Sequence, residues 1–168
     1  MTEKTYNVLF ICTGNSARSI LAEAIMNHLG QGQFRAYSAG SHPRGYVHAL
    51  ALETLQNNDQ DPSLARSKHW EEFAHGEAPK MDFVFTVCDN AAGETCPVWP
   101  GQPMTAHWGF ADPSLVEGDE ETQRKAFSRT YMEITNRIRI FLSLPFDKID
   151  RMSLQTKLRE LGSDSANS

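Results

Sequence analysis

No apolar run in this chain is long enough to cross a bilayer. The longest near the N-terminus is Val8-Leu9-Phe10-Ile11, against the ~20 residues that a spanning helix needs. Neither a membrane span nor a secretory leader is expected, and the predicted location is cytoplasmic. Basic residues are also scarce: 16 Lys and Arg against 21 Asp and Glu leave a formal charge of −5. A nucleic-acid partner, which needs concentrated cations to displace counterions, is therefore not expected. Cysteine is rare. Cys12, Cys88 and Cys96 are an odd set at wide spacing, which does not read as a secreted disulfide framework. Neither a Cys-x-x-Cys pair nor a close histidine pair occurs, so a zinc site built from Cys88, Cys96 and His107 is not supported and no metal is expected. There is no Gly-Lys-Ser/Thr phosphate loop, and Gly30-Gln31-Gly32 follows a helical pattern rather than a strand.

What remains is one core. The 168 residues, 40% of them apolar, suffice for one domain and are too few for two comfortable ones. Tyr6 to Ile11 reads as a buried strand that stops at Cys12-Thr13-Gly14-Asn15. From Ser16, the apolar positions Ile20, Leu21, Ala24, Ile25 and Leu29 fall on one helical face, and Gly30 ends the pattern. Phe34 to Ala39 predicts a second strand, Ala49 to Leu55 a second helix, and Phe83 to Val87 a third strand ending at Cys88. The region from 56 to 80 is weakly patterned, with one helical turn around Glu71 to Phe73. Residues 89 to 104 form an irregular Gly/Pro-rich loop, whose length in a compact domain calls for a function. Phe127, Tyr131, Ile134, Ile138 and Phe141 recur at steps of four and three and predict an amphipathic helix between Glu120 and Leu142. Phe146 to Leu161 is helical in pattern, with Ile149, Met152 and Leu158 facing inward, and 162 to 168 reads as a disordered tail. His42, His48 and His69 read as surface or loop residues.

Strands alternating with helices predict an α/β, doubly wound domain, whose ligand site lies outside the carboxyl ends of its parallel strands. Cys12 and Cys88 both follow such ends. Between the first strand and helix, Cys12-Thr13-Gly14-Asn15-Ser16-Ala17-Arg18-Ser19 sets a thiol and a guanidinium at the two ends of a seven-residue arc. A loop entering a helix N-terminus turns several N–H groups inward, and with the helix dipole these form a nest for a tetrahedral oxyanion. Gly14 permits the tight backbone, and Arg18 offers a planar fork to two oxyanion oxygens. The same positive surroundings, with the Ser19 hydroxyl, are expected to bring the Cys12 thiol below the ~8.5 of an ordinary cysteine and make it a nucleophile at neutral pH.

With these residues in view, the sequence resembles the low-molecular-weight protein tyrosine phosphatase superfamily, whose signature is a cysteine, five residues and an arginine after the first strand. Four segments in order carry the likeness further, toward the thioredoxin-coupled arsenate reductases of that fold. They are the Cys12 to Ser19 loop, Tyr37-Ser38-Ala39-Gly40, Cys88-Asp89-Asn90 through Cys96-Pro97, and His107-Trp108-Gly109-Phe110-Ala111-Asp112-Pro113. The resemblance spans residues 6 to 144. It implies a mainly parallel four-stranded sheet with helices on both faces, a catalytic domain over 1 to 144, and a C-terminal helical extension over 145 to 161.

The resemblance also implies a reaction and its residues. Arsenate, with phosphate as its competitor, would occupy the nest of Thr13, Gly14, Asn15, Ser16, Ala17, Arg18 and Ser19. Cys12 would attack, Asp112 would protonate the departing oxygen, and Cys88 and then Cys96 would carry the disulfide outward to thioredoxin, without a cofactor, in arsenic detoxification. A monomer is expected, with no membrane partner. Asp112 followed by Pro113 also reads as a plain surface turn. Hydrolysis of phosphate monoesters by a phosphatase that needs neither Cys88 nor Cys96 is the rival reading, and a non-catalytic oxyanion sensor is a third. Cys88 and Cys96 are separated by seven residues, one more than in the best-known members, so the loop that links them differs in detail. Some members bind potassium through an Asn, a Glu, a Ser and a distant Asp. Asn15, Glu23 and Ser38 match, but the sequence reads Arg66-Ser67-Lys68 where the Asp belongs. Lys68 is therefore expected to stand in for the cation and pair with Glu23, making activity independent of potassium.

Overall fold

The computed structural model describes residues 5–74, 77–87, 103–146, 148 and 150–166, with backbone alone over 163–166. Its centre is a strand, β1 (Tyr6–Ile11), whose Val8, Leu9, Phe10 and Ile11 are fully buried. A continuous apolar run of this kind belongs to a strand covered on both faces, as in parallel sheets. β2 (Phe34–Ala39) and β3 (Phe83–Thr86) flank it, β4 (Met104–His107) closes the far side, and the order β2-β1-β3-β4 is parallel throughout. Because the chain runs outward from β1 in both directions, the sheet has a switch point between β1 and β3. A crevice opens there at the carboxyl ends of the strands. Register makes those ends level: Ile11 lies opposite both Ala39 and Thr86.

Three helices come where the apolar spacing predicts them. α1 (Arg18–Leu29) buries Ile20, Leu21, Ala22, Ile25 and Met26. α2 (Ala49–Asn57) begins at His48, whose Nδ1 accepts a hydrogen bond from the Leu50 N–H at 3.1 Å. The His48 ring packs on Phe127 at 4.8 Å, so this histidine is a helix cap seated on the core rather than a surface residue. α3 (Glu120–Leu142) is capped by Asp119 and buries Phe127, Ile134, Ile138 and Phe141. Phe141 meets Phe83 and Phe85 edge-on at 5.2 and 5.5 Å, and Phe85 stacks on Trp108 at 3.8 Å. Offset and edge-on contacts among such rings add to the area they bury.

Two expectations are corrected. The loop predicted over 89 to 104 gives way at Met104 to β4, an edge strand whose four residues are only partly covered. The last helix, α4, runs from Arg151 to Ala166. Asp150 accepts the Ser153 N–H at 2.8 Å and fixes its start. Leu158 faces inward as expected, with Leu154 and Leu161, whereas Met152 is 82% exposed and Ile149 lies outside the described residues. The helix also continues through Gly162, where a disordered tail was expected. A Cβ there would stand 2.0 Å from the His107 carbonyl oxygen, so this glycine permits close helix–strand approach instead of ending the helix. Trp108 Nε1 donates to the Leu158 carbonyl at 3.0 Å and Gln155 Nε2 to that of Thr105 at 2.6 Å. α4 thereby covers the exposed edge of β4, a row of groups that would otherwise invite pairing with another chain. Among the described residues, no helix is long and apolar enough to cross a membrane.

Candidate active site

The loop from Cys12 to Arg18 fills the crevice at the switch point. Cys12 itself is buried, and its N–H donates to the Ala39 carbonyl at 3.2 Å. The loop's carbonyls are turned away from its centre by the segment that follows β2. His42 N–H donates to Thr13 O at 2.9 Å, Arg44 N–H to Gly14 O at 3.0 Å, and His48 N–H to Ser16 O at 2.8 Å. In a planar trans peptide, C=O and the next N–H point in opposite directions. The amides of Gly14, Asn15 and Ala17 are therefore aimed to the other side of the loop. This 42–48 scaffold was invisible to sequence reasoning, since a backbone N–H can be supplied by any residue except proline.

Two further residues fix the loop. At Gly40 a Cβ would stand 2.5 Å from Thr13 O and 2.6 Å from Cys12 O, so only glycine lets β2 end against the loop. Asn15 adopts a positive φ of 42°, a region that asparagine tolerates better than most residues. Its side chain is pinned at both ends. Oδ1 accepts the Lys68 N–H at 2.8 Å, and Nδ2 donates to Ser19 Oγ at 2.7 Å. Accepting from Asn15 leaves the Ser19 hydroxyl its own hydrogen to donate.

Arg18 opens α1 and reaches across to the segment after β4. Its Nη1 donates to the Phe110 carbonyl at 2.9 Å, and its Nη2 stands 3.2 Å from Asp112 Oδ2. The other oxygen of Asp112 accepts from Ser114 N–H at 2.9 Å and Ser114 Oγ at 2.6 Å. Asp112 is thus both a turn former and a carboxylate facing the anion loop. A cavity of about 510 Å³ opens behind it, lined by Pro113, Val116, Lys125 and Arg129 among others. Cys88 and Cys96, the expected relay thiols, lie outside the described residues. Val87 donates its N–H to the Ile11 carbonyl at 2.8 Å.

Beside the loop, Lys68 is buried, with its ammonium 2.6 Å from the Arg66 carbonyl, 3.3 Å from Ser38 Oγ and 3.7 Å from Glu23 Oε1. Ser38 Oγ in turn donates to Glu23. The ammonium thus lies among the Glu and Ser oxygens that the resemblance assigns to potassium. A potassium ion does not fit beside it.

Burial pushes the Glu23 carboxyl up, and Lys68 and Ser38 offset part of that rise. Burial likewise pushes the Lys68 ammonium down, with Glu23 as the main counterweight. A carboxyl whose folded value exceeds the unfolded one contributes stability at low pH and loses it as pH rises through the folded value. Removing Lys68 deletes the charge that restrains Glu23. We expect Lys68→Met to cost about 3 kcal/mol at pH 7.5, the low end for stranding one member of a buried ion pair, since the Glu23 side chain keeps 21% exposure. The cost should shrink toward pH 5 as Glu23 takes up a proton. Urea unfolding at the two pH values measures it, and an equal cost at both would contradict the pairing.

Comparison with known proteins agrees with this arrangement. Residues 7–157 match the family described as low molecular weight phosphotyrosine protein phosphatase. A protein of Bacillus licheniformis named arsenate reductase is 36% identical over 143 residues, spanning 84% of this chain and 96% of its own. One of Shouchella clausii with the same name is 35% identical over 138 residues, spanning 80% and 93%. The solved thioredoxin-dependent arsenate reductase of Corynebacterium glutamicum superposes with a TM-score of 0.59 at 27% identity, over 84% of this chain and 62% of that longer one. With its Cys12-to-Arg18 loop at the switch point of a four-stranded parallel sheet, this chain belongs to the low molecular weight phosphotyrosine protein phosphatase family.

Proposed function

We propose that this protein is a thioredoxin-coupled arsenate reductase, releasing arsenite through a relay of its three cysteines. Arsenate has phosphate's shape and charge and suits the amide nest and the Arg18 fork. The dianion replaces Asp112 as Arg18's partner, and the freed Asp112 carboxylate takes up a proton from water. The Cys12 sulfur then bonds to arsenic, an As–O bond breaks, and Asp112 supplies the proton with which that oxygen departs. In a phosphatase water would finish the reaction. Here the Cys88 thiolate attacks the Cys12 sulfur, the S–As bond breaks with its electron pair going to arsenic, and arsenite leaves as the two thiols become a disulfide. Cys96 next attacks the Cys88 sulfur, freeing Cys12, and thioredoxin reduces the Cys88–Cys96 bond.

The observation that carries this reading is the adjacency of two strand ends. Val87, the residue before Cys88, is hydrogen-bonded to Ile11, the residue before Cys12. The names of the relatives support the substrate. The test is NADPH oxidation with thioredoxin and thioredoxin reductase, with and without arsenate, beside hydrolysis of an aryl phosphate. Arsenate-dependent NADPH oxidation is the expected result. Sustained ester hydrolysis without it would establish the phosphatase instead.

The Lys68 ammonium has a kinetic consequence. Exchanging sodium for potassium at constant ionic strength should leave kcat/KM unchanged, whereas Lys68→Asp, which restores a carboxylate ligand, should introduce a dependence. A several-fold rise with potassium in the parent protein would overturn the substitution.

A further inference from the structure

We propose that Arg44 is a second guanidinium of the oxyanion site, one that captures the doubly charged tetrahedral anion at the mouth of the loop and sets affinity rather than turnover. The proposal deepens the reading of the site as one for arsenate and phosphate. Arg44 begins in a fixed place: its own N–H is bonded to Gly14 O at 3.0 Å, and the next N–H, that of Gly45, donates to Ser67 Oγ at 3.2 Å. Ser67 Oγ in turn donates to the same Gly14 carbonyl at 3.4 Å. Gly45 has a φ of +82°, a conformation that side chains resist, so the turn that holds Arg44 in this place depends on a glycine there.

From that start the side chain, although exposed, runs back along the loop at Gly14. A Cβ built on Gly14 would stand 3.1 Å from Arg44 Nε, 3.3 Å from Cγ and 3.5 Å from Cδ. The absent Gly14 side chain is therefore the space in which Arg44 lies. Among the described residues, no carboxylate pairs with Arg44. A cation held against Gly14, in the loop that Arg18 closes, gains when an anion arrives. Charge balance points the same way. Even once Asp112 has given up Arg18, a dianion beside a nucleophilic thiolate carries more negative charge than the one guanidinium of Arg18 offsets.

The test uses the full chain and two variants. Arg44→Met keeps an apolar stem over Gly14 and deletes the charge, and Arg44→Lys keeps the charge without the planar fork. Inorganic phosphate binding is measured by calorimetry at low and high ionic strength, and arsenate kinetics with thioredoxin recycling. For Arg44→Met, phosphate Kd and arsenate KM should both rise about tenfold, with kcat within about twofold of the parent and a shallower dependence on salt. Arg44→Lys should recover at least half of the lost affinity on a logarithmic scale. Unchanged Kd and KM in Arg44→Met, a loss falling on kcat instead, or no recovery in Arg44→Lys would overturn the proposal. Phosphate binding needs no turnover. A parent that binds phosphate but fails to reduce arsenate would sink the proposed activity while leaving Arg44 fully tested.

Discussion

Cys12→Ser is expected to abolish arsenate reduction, by at least about 10⁴-fold, the scale on which enzymes lose rate when their covalent nucleophile is removed. The size of the effect follows from what the site supplies. The attacking species is a thiolate, and a serine hydroxyl in its place, with its far higher pKa, stays protonated. The nest itself is made of backbone held by the 42–48 amides, none of which the substitution touches. Phosphate should therefore still bind to Cys12→Ser within a few-fold of the parent, as calorimetry would show. Loss of binding together with turnover would mean that the thiol holds the loop in shape, and residual turnover above one per cent would mean that Cys12 is not the nucleophile.

The second large effect concerns the far end of the relay. Cys96→Ser should reduce about one arsenate per protein molecule and then stop, trapped as a Cys12–Cys88 disulfide, because exchange to an outer bond needs the third thiol. Rapid-quench measurement of arsenite should give a burst near one equivalent followed by a steady-state rate close to zero. Non-reducing peptide mapping should identify the trapped bridge. Cys88→Ser, in contrast, should form no arsenite at all while keeping aryl phosphate hydrolysis, since Cys12, Arg18 and Asp112 are untouched. Continued turnover by Cys96→Ser with thioredoxin would show that the first disulfide is reduced directly and would remove Cys96 from the scheme.

Much of this was readable from residues because local signals and tertiary context agree. Val8 to Ile11 is apolar without alternation and lies at the sheet centre; Phe127 to Phe141 repeats at helical spacing and covers Phe83 and Phe85. Where context overrides local pattern, the reading failed. Met104-Thr105-Ala106-His107 carries no strand signature and becomes one by pairing with β3 and being covered by α4. In α4 Leu158 faces inward as its spacing predicts while Met152, in the first turn after Asp150, does not, and the helix continues through Gly162, which allows close approach where a disordered tail is expected. The candidate roles of Cys12 and Arg18 are legible because side chains suggest them. The carbonyl-turning amides of His42, Arg44 and His48 were not, since their contribution is carried by the backbone. Lys68 and Glu23 come together through the packing of the middle of α1 against the end of β2 and the segment before Trp70.

The central claim is that electrons reach arsenic from sulfur, and it is tested most directly by exposing the reduced parent protein to arsenate without thioredoxin and mapping its peptides without reductant. One arsenite per chain and a Cys88–Cys96 bridged peptide are the result this account requires. Three unbridged cysteines in a protein that nonetheless binds the oxyanion would contradict it.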